Sequence, residues 1–344
     1  MPLTAGEMTH LLAPLLALAA PDAAPQIAYA PVLNASAEAP AAAPEIAPAP
    51  LPLDIAPTTH ALAPLRESMA DDGVRIGKVD VLKAGKLLLT NGVTTVEGSS
   101  GGGLARWATI GGRQMAGGIG LSAHGTAIEL PDFGWRSYGV LLGLGDRVEL
   151  SIARADFDTR DVGALLGIGR GYTFNLDTLG AKLRVAGDAV YGDTWLPQIA
   201  IGVEHKRSRD GALVRALGAS EASGTDYTLS ATKLLLAQSL LVNGTLRYTE
   251  ANELGLLGFG SANAGYRVQF EGSLGYQLSR RAVIGAEYRT KPDNLGLGDD
   301  DWMDLFAAYA LTDHLTLTAA YVDLGSIATF SDQRGGFLSA QVAF

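Results

Sequence analysis

The stretch Arg267–Leu278, RVQFEGSLGYQL, decides the fold. Val268, Phe270, Gly272, Leu274, Tyr276 and Leu278 fall on one side of an extended chain. Arg267, Gln269, Glu271, Ser273, Gly275 and Gln277 fall on the other. A period of two belongs to a strand with unlike surroundings on its two faces. The pattern recurs in 282–290, where Ala282, Ile284, Ala286 and Tyr288 oppose Val283, Gly285, Glu287 and Arg289. It recurs in 301–311, with Met303, Leu305, Ala307, Tyr309 and Leu311 against Trp302, Asp304 and Phe306, and again in 177–186. Each run is about ten residues long, enough for a tilted strand to cross a hydrocarbon layer.

Working outward, the alternation predicts about fourteen strands (within a range of 12–16), at 86–96, 103–111, 117–127, 135–144, 146–156, 177–186, 196–207, 225–236, 239–250, 267–278, 282–290, 301–311, 315–323 and 335–344. The weakest are 86–96 and 103–111. Taken alternately, the connections sort by length. One set (97–102, 128–134, 157–176, 208–224, 251–266, 291–300 and 324–334) is mostly long, and the other is mostly tight turns, with 187–195 the exception. Long loops at one rim and short turns at the other mark an outer-membrane barrel. The expected fold is therefore all-β, a single closed antiparallel transmembrane barrel with both chain ends periplasmic. In the last strand Leu338, Ala340, Val342 and the terminal Phe344 alternate with polar or small residues. Leu338, Val342 and Phe344 form the expected signal for the bacterial barrel-assembly machinery.

Composition agrees. The chain has 344 residues, a net charge of −10, 43 Gly and no Cys, and is 47% hydrophobic and 18% charged. The missing cysteine excludes disulfide frameworks, Cys-ligated metals and a thiol nucleophile. The acidic balance argues against a nucleic-acid partner. No apolar run reaches the ~18–20 residues of a spanning helix.

The N-terminal part is different. Twelve of the 15 prolines lie between Pro2 and Pro64. Residues 1–24 contain the apolar run His10–Ala20 and read as an atypical export signal, since the first Lys or Arg is Arg66. Residues 25–65 read as a disordered Ala/Pro-rich linker. Residues 66–85 read as a periplasmic tail or a plug, and 86–344 as the barrel.

Five segments carry a family resemblance: GRGYTFNLDTLGAKLRV (169–185), DTWLPQIAIG (193–202), QSLLVNGTLRYTEANELGLLGFG (238–260), AEYRTKPDNLG (286–296) and YVDLGSIATFSDQRGGFLSAQVAF (321–344). They resemble bacterial proteins grouped as domain of unknown function 3034. The resemblance implies an outer-membrane barrel of no settled activity and transfers no site residues.

Charges on a lipid-facing side cost about 2–4 kcal/mol at the midplane, so alternation assigns them inward. The expected lumen set is Arg147, Glu149, Lys182, Arg184, Glu204, Lys206, Arg247, Arg267, Glu271, Glu287, Arg289 and Asp304. These residues read either as a charged constriction selecting small solutes or as ion pairs bracing the wall. The first functional expectation is a monomeric narrow or gated pore for small molecules, without catalytic residues, metal or cofactor. The alternatives are a barrel-embedded hydrolase or acyltransferase using Ser122 and His124, and a structural or adhesion barrel presenting its long loops. Outer-membrane lipids and lipopolysaccharide are the expected partners. Lys206, Arg207, Arg209 and Arg215 are candidates for meeting lipopolysaccharide phosphates, and Asp299–Asp301 for a solvated acidic loop. Trp107, Trp135, Trp195, Trp302, Tyr248, Tyr276, Tyr288 and Tyr321 are candidates for interfacial girdles.

Overall fold

The computed structural model describes residues 74–76, 79–81, 86, 88–90, 92–190, 192 and 195–344. The signal-like segment 1–24 and the linker 25–65 lie outside the described residues. Two short strands, β1 (Val74–Ile76) and β2 (Val79–Val81), pair with each other. Two more, β3 (Val93–Thr94) and β4 (Ser100–Gly101), form a small hairpin. Then come β5 (Ile119–Glu129), β6 (Gly134–Leu144), β7 (Val148–Asp158), β8 (Thr173–Ala186), β9 (Gln198–Ser208) and β10 (Ser223–Leu235). They are followed by β11 (Leu240–Thr249), β12 (Arg267–Ser279), β13 (Ala282–Arg289), β14 (Trp302–Ala310), β15 (Leu315–Asp323) and β16 (Arg334–Ala343).

Strands β5 to β16 pair antiparallel in sequence order, and β16 returns to β5 through the register Gly336↔Glu129 to Ala343↔Ser122. The ring is closed and has twelve members, with no open edge. Its two rims differ as the loop lengths predict. Residues 145–147, 236–239, 280–281 and 311–314 turn tightly at one rim, while 159–172, 209–222, 250–266, 290–301 and 324–333 connect the strands at the other; the exceptions are the longer 187–197 at the first rim and the short 130–133 at the second. Among the described residues no helix is long and apolar enough to cross a membrane.

The alternation resolves into an inside-out distribution. On β5, Ser122, His124 and Thr126 are buried and Leu121 is exposed. On β12, Glu271 and Ser273 are buried while Phe270, Leu274 and Tyr276 are exposed. Leu305 is 67% exposed and Asp304, its neighbour, 4%. A water-soluble sheet would show the reverse.

The count of fourteen is corrected to twelve, because 86–96 and 103–111 are not wall strands. Every residue from 92 to 112 is buried, whereas a wall strand exposes alternate side chains. This segment, with the β3–β4 hairpin, runs through the lumen as a plug. It touches inward-facing groups on many strands, from Ser137 on β6 to Glu287 on β13. Eight strands enclose a space that side chains fill, and 16–18 leave a channel. Twelve leave room for a length of main chain. The segment 66–85, read as a periplasmic tail or a plug, lies mostly outside the described residues; the plug described here is downstream of it.

The long-loop end of the lumen is closed differently. Inward side chains of the strand ends (Ile128, Trp135, Phe157, Phe174, Trp302, Phe337) pack against Val162 on helix α1 (Val162–Leu165), Val214 on helix α2 (Gly211–Ala216), and Leu254, Leu256 and Leu324 from the loops. Trp135 meets Trp302 edge to face, with ring centroids 5.7 Å apart. Trp135 and Trp302 thus belong to a dry internal cap, and Trp107 is buried in the plug, so none of the three can serve an outer girdle. The exposed aromatics form two groups. Tyr138, Tyr227, Tyr248, Tyr288 and Tyr321 point outward toward the long-loop end, and Trp195, Tyr276, Tyr309 and Phe344 outward toward the short-turn end.

The plug sits close against the wall at Gly98. Its φ is +95°, and an added Cβ would lie 2.5 Å from the Ala153 side chain on β7. Gly98→Ala therefore carries both backbone strain and a clash, at a cost on the order of 1–3 kcal/mol. Thermal unfolding in detergent should show a lowered midpoint, with new protease sites confined to residues 86–114.

A charged seam between wall and plug as the candidate functional site

Main chain placed in a lumen lies outside the wall's ladder: the β3–β4 hairpin meets part of its N–H and C=O groups, and side chains must meet others. The wall supplies them. Glu149 on β7 accepts from the amides of Ser100 (3.0 Å) and Gly111 (2.7 Å). Glu287 on β13 accepts from Leu104 N–H at 2.8 Å. Lys182 on β8 donates to the carbonyls of Ser100 and Thr109, each at 3.1 Å. Gln198 donates to Ala108 O at 2.7 Å, and Thr232 accepts from Ala108 N–H at 2.8 Å.

At the centre is Arg106 of the plug, 1% exposed. Its Nε donates to Glu204 Oε1 at 2.7 Å and Nη2 donates to Glu204 Oε2. Its Nη1 reaches Glu271 Oε1 at 2.6 Å, and its own amide donates to Glu271 Oε2 at 2.8 Å. Its carbonyl accepts from Asn243 Nδ2 (2.9 Å) and Thr245 Oγ1 (2.8 Å) on β11. The plug's one buried carboxylate, Glu97, contacts Arg106 Nη2 (2.7 Å), Arg289 Nη1 (2.6 Å) and Lys206 Nζ. Lys206 also holds Asp226 at 2.5 Å, and Arg247 Nε holds Glu271 at 2.9 Å. The fork of Arg106 on Glu204 is the bidentate geometry that makes arginine–carboxylate pairs directional.

Of the expected lumen residues, Glu149, Lys182, Glu204, Lys206, Arg247, Glu271, Glu287, Arg289 and Asp304 are buried on the inner face, and all but Asp304 meet the seam. Asp304 stands opposite Glu287 in the β13–β14 register. Arg184 lies at the short-turn rim, half-buried, paired with Asp146 (2.7 Å) and Asp188 (3.0 Å). Arg147 and Arg267 are corrections: both are exposed at strand ends, Arg147 in the β6–β7 turn and Arg267 at the start of β12. Alternation gives a side, but not a depth.

Sequence reasoning missed Asp226, Lys86, Glu97 and Arg106. Asp226 shares its parity with Thr228, Ser230 and Thr232, all buried, so the period-two signal was available. Glu97 and Arg106 are the only charged residues in 87–112, an oddity for a wall strand. Lys86 donates to Ile110 O at 2.6 Å and pairs with Asp146 at 2.6 Å.

Other candidate chemistry does not assemble. His124 Nε2 lies 3.3 Å from Ser137 Oγ, but that hydroxyl donates to Val96 O at 2.6 Å, against the plug. Ser122 Oγ accepts from Gln341 at 2.8 Å and is buried on the inner face near the short-turn end. The oxygens of Glu97, Glu204 and Asp226 come within 4.8 Å of one another, the spacing of a cation site among the described residues. The Lys206 ammonium already stands among them. Lys206 is thus no part of a loop cluster. Of the others proposed for lipopolysaccharide, Arg209 pairs with Asp177 at 2.6 Å and Arg215 with Glu221 at 3.5 Å.

A family model described as "Protein of unknown function (DUF3034)" matches residues 90–341. The chain belongs to this family. No curated protein matches it. Members of other barrel families are similar in fold. The KdgM porin in complex with disordered oligogalacturonate is 10% identical with a TM-score of 0.42, covering 65% of this chain and 99% of that one. The NanC porin is 10% identical with a TM-score of 0.41, covering 65% and 98%. Outer membrane phospholipase A from Escherichia coli is 12% identical with a TM-score of 0.35, covering 66% and 91%. At such scores these likenesses assign neither a solute nor a residue to this member of the family.

Two tests follow from the site. Glu271 is fully buried among Arg106, Arg247 and Arg289. Glu271→Ala strands these cations and should destabilise the barrel by about 3–5 kcal/mol, read as a shift in urea unfolding in micelles. In the loop cap, burial and then the nearby Glu253 carboxylate push Asp299 from 3.8 up to about 8. An acid raised on folding stabilises below its unfolded pKa and loses that contribution as pH rises. Relative to the intrinsic rate, hydrogen exchange of loop 290–301 should therefore be slowest near pH 4, quicken progressively as pH rises from about 4 to about 8 and level off above, and Asp299→Asn should flatten the profile.

Proposed function

We propose that this chain is an outer-membrane barrel whose lumen is a gated route for small polar solutes, shown here closed. Three features support the membrane setting: an outward apolar band, exposed aromatics toward both rims, and rims that differ in loop length. Hydrocarbon would cover that band, and ring closure leaves no main-chain edge within it. Leu338, Val342 and Phe344 face outward on the closing strand, as a recognition signal for barrel assembly requires. By loop length, both ends of the barrel chain lie on the periplasmic side.

One observation carries the gating reading: the middle of the plug, around Glu97 and Arg106, is held by ion pairs and hydrogen bonds to the wall, with apolar packing confined to Val93, Val96, Leu104 and Trp107 around it. A buried ionic network is weak evidence for stability, because well-packed apolar groups of similar volume often do as well or better. Its groups can be re-solvated by water when the plug leaves, so the exchange is not as one-sided as opening a greasy core. Two cavities beside the plug have volumes of about 30 and 20 Å³, room for about one water each. The apolar loop cap favours a second reading, in which the barrel is permanently sealed and presents its loops.

Single-channel recording in planar bilayers separates the two. The intact protein should be silent or open rarely. Deleting residues 92–112, or the milder Arg106→Gln, should produce frequent discrete steps. Bilayers that stay silent with both variants, each shown to be folded by heat-modifiable gel migration, would establish the sealed barrel.

A further inference from the structure

The wall binds every polar group of Arg106. Glu204 and Glu271 take its guanidinium, Glu271 its amide, and Asn243 and Thr245 its carbonyl. These four residues stand on three wall strands, β9, β11 and β12, and are buried. The plug reaches them from 98 and 165 residues away in sequence. None of these contacts is made by a neighbouring strand for the sake of the sheet. The arrangement is a seat for an arginyl group, built into the wall and filled from within.

The geometry points to this seat as the solute site of the open lumen, taking guanidino compounds, with Arg106 occupying it in the closed state as an internal stand-in. The inference rests on the gating reading. Two carboxylates on different strands, one of them engaged by two guanidinium nitrogens, suit a planar fork better than an ammonium point charge. Departure of the plug also frees Lys206 and Arg289 from Glu97. The vacated site then offers carboxylates to a guanidinium and, beside them, cations to a carboxylate, so a zwitterionic guanidino acid matches both halves.

The seat can be tested without relying on the gate. Arg106→Ala removes the stand-in and leaves a cavity of guanidinium size. Millimolar guanidinium chloride should raise the thermal midpoint of this variant in detergent, while lowering or not moving that of the intact protein. Equal sodium chloride or ammonium chloride should not reproduce the effect. Glu204→Gln in the same background should abolish it. Should Arg106→Ala fail to fold, Arg106→Ser provides the same cavity. An identical response of variant and intact protein, or rescue by ammonium as good as by guanidinium, overturns the proposal. The second arm uses the 92–112 deletion in bilayers. L-arginine should block its current at concentrations at least tenfold lower than L-lysine, with agmatine between them. Steps that appear but are blocked equally by arginine and lysine would refute the seat and leave the gate standing. Thermal rescue without any steps would refute the gate and retain the seat as a static brace, so the solute role would fall with the gate.

Discussion

A length of main chain outside the wall's ladder lies at the middle of this barrel, and the amides and carbonyls that its own small hairpin leaves over are met by the wall around it. Backbone groups buried without a partner cost more than almost any single side-chain contact returns. That constraint accounts for the otherwise odd placement of Glu149, Lys182, Gln198, Thr232, Asn243 and Glu287, each aimed at a plug amide or carbonyl. It also accounts for the seam's composition. Hydroxyls and amides satisfy the plug's edges, while full charges gather where Arg106 and Glu97 must be neutralised.

The lumen is therefore layered. Toward the long loops it is as dry as the core of a soluble protein, with Trp135, Phe157 and Trp302 in contact. At mid-height it is ionic. Toward the short turns it opens to a half-buried rim where Asp146, Arg184 and Asp188 meet. The layers have different physical consequences. Apolar packing resists water and fixes the cap, whereas ion pairs can trade partners with water or solute at smaller cost. Any motion that opens the barrel has its least expensive starting point in the ionic layer.

Much of this was legible in residues taken one strand at a time. The run 267–278 shows both faces, the loop lengths sort into two rims, and the inward charges Glu204, Arg247, Glu271, Glu287 and Arg289 follow from parity alone. The two strands expected at 86–96 and 103–111 were not there. Their apolar residues resemble those of a wall strand, but they pack on the inner side of the wall and on the loop cap: Leu89 and Val93 against Ala308 and Ala310, Trp107 against Leu234 and Leu241, and Val96 and Leu104 in the cap. Arg147 and Arg267 carry the correct parity yet sit at strand ends, because periodicity holds no information about depth.

By itself, the sequence determined that the chain forms alternating strands, which side of each strand is apolar, and how the connections sort by length. These are local consequences of side-chain geometry along an extended backbone. Only the tertiary structure decided that twelve strands make the wall and that the remaining segment fills it. The reason is the range of the interactions. Arg106 finds Glu204 and Glu271 across 98 and 165 residues of chain, and such a meeting depends on the width of the closed ring and the register of every strand between.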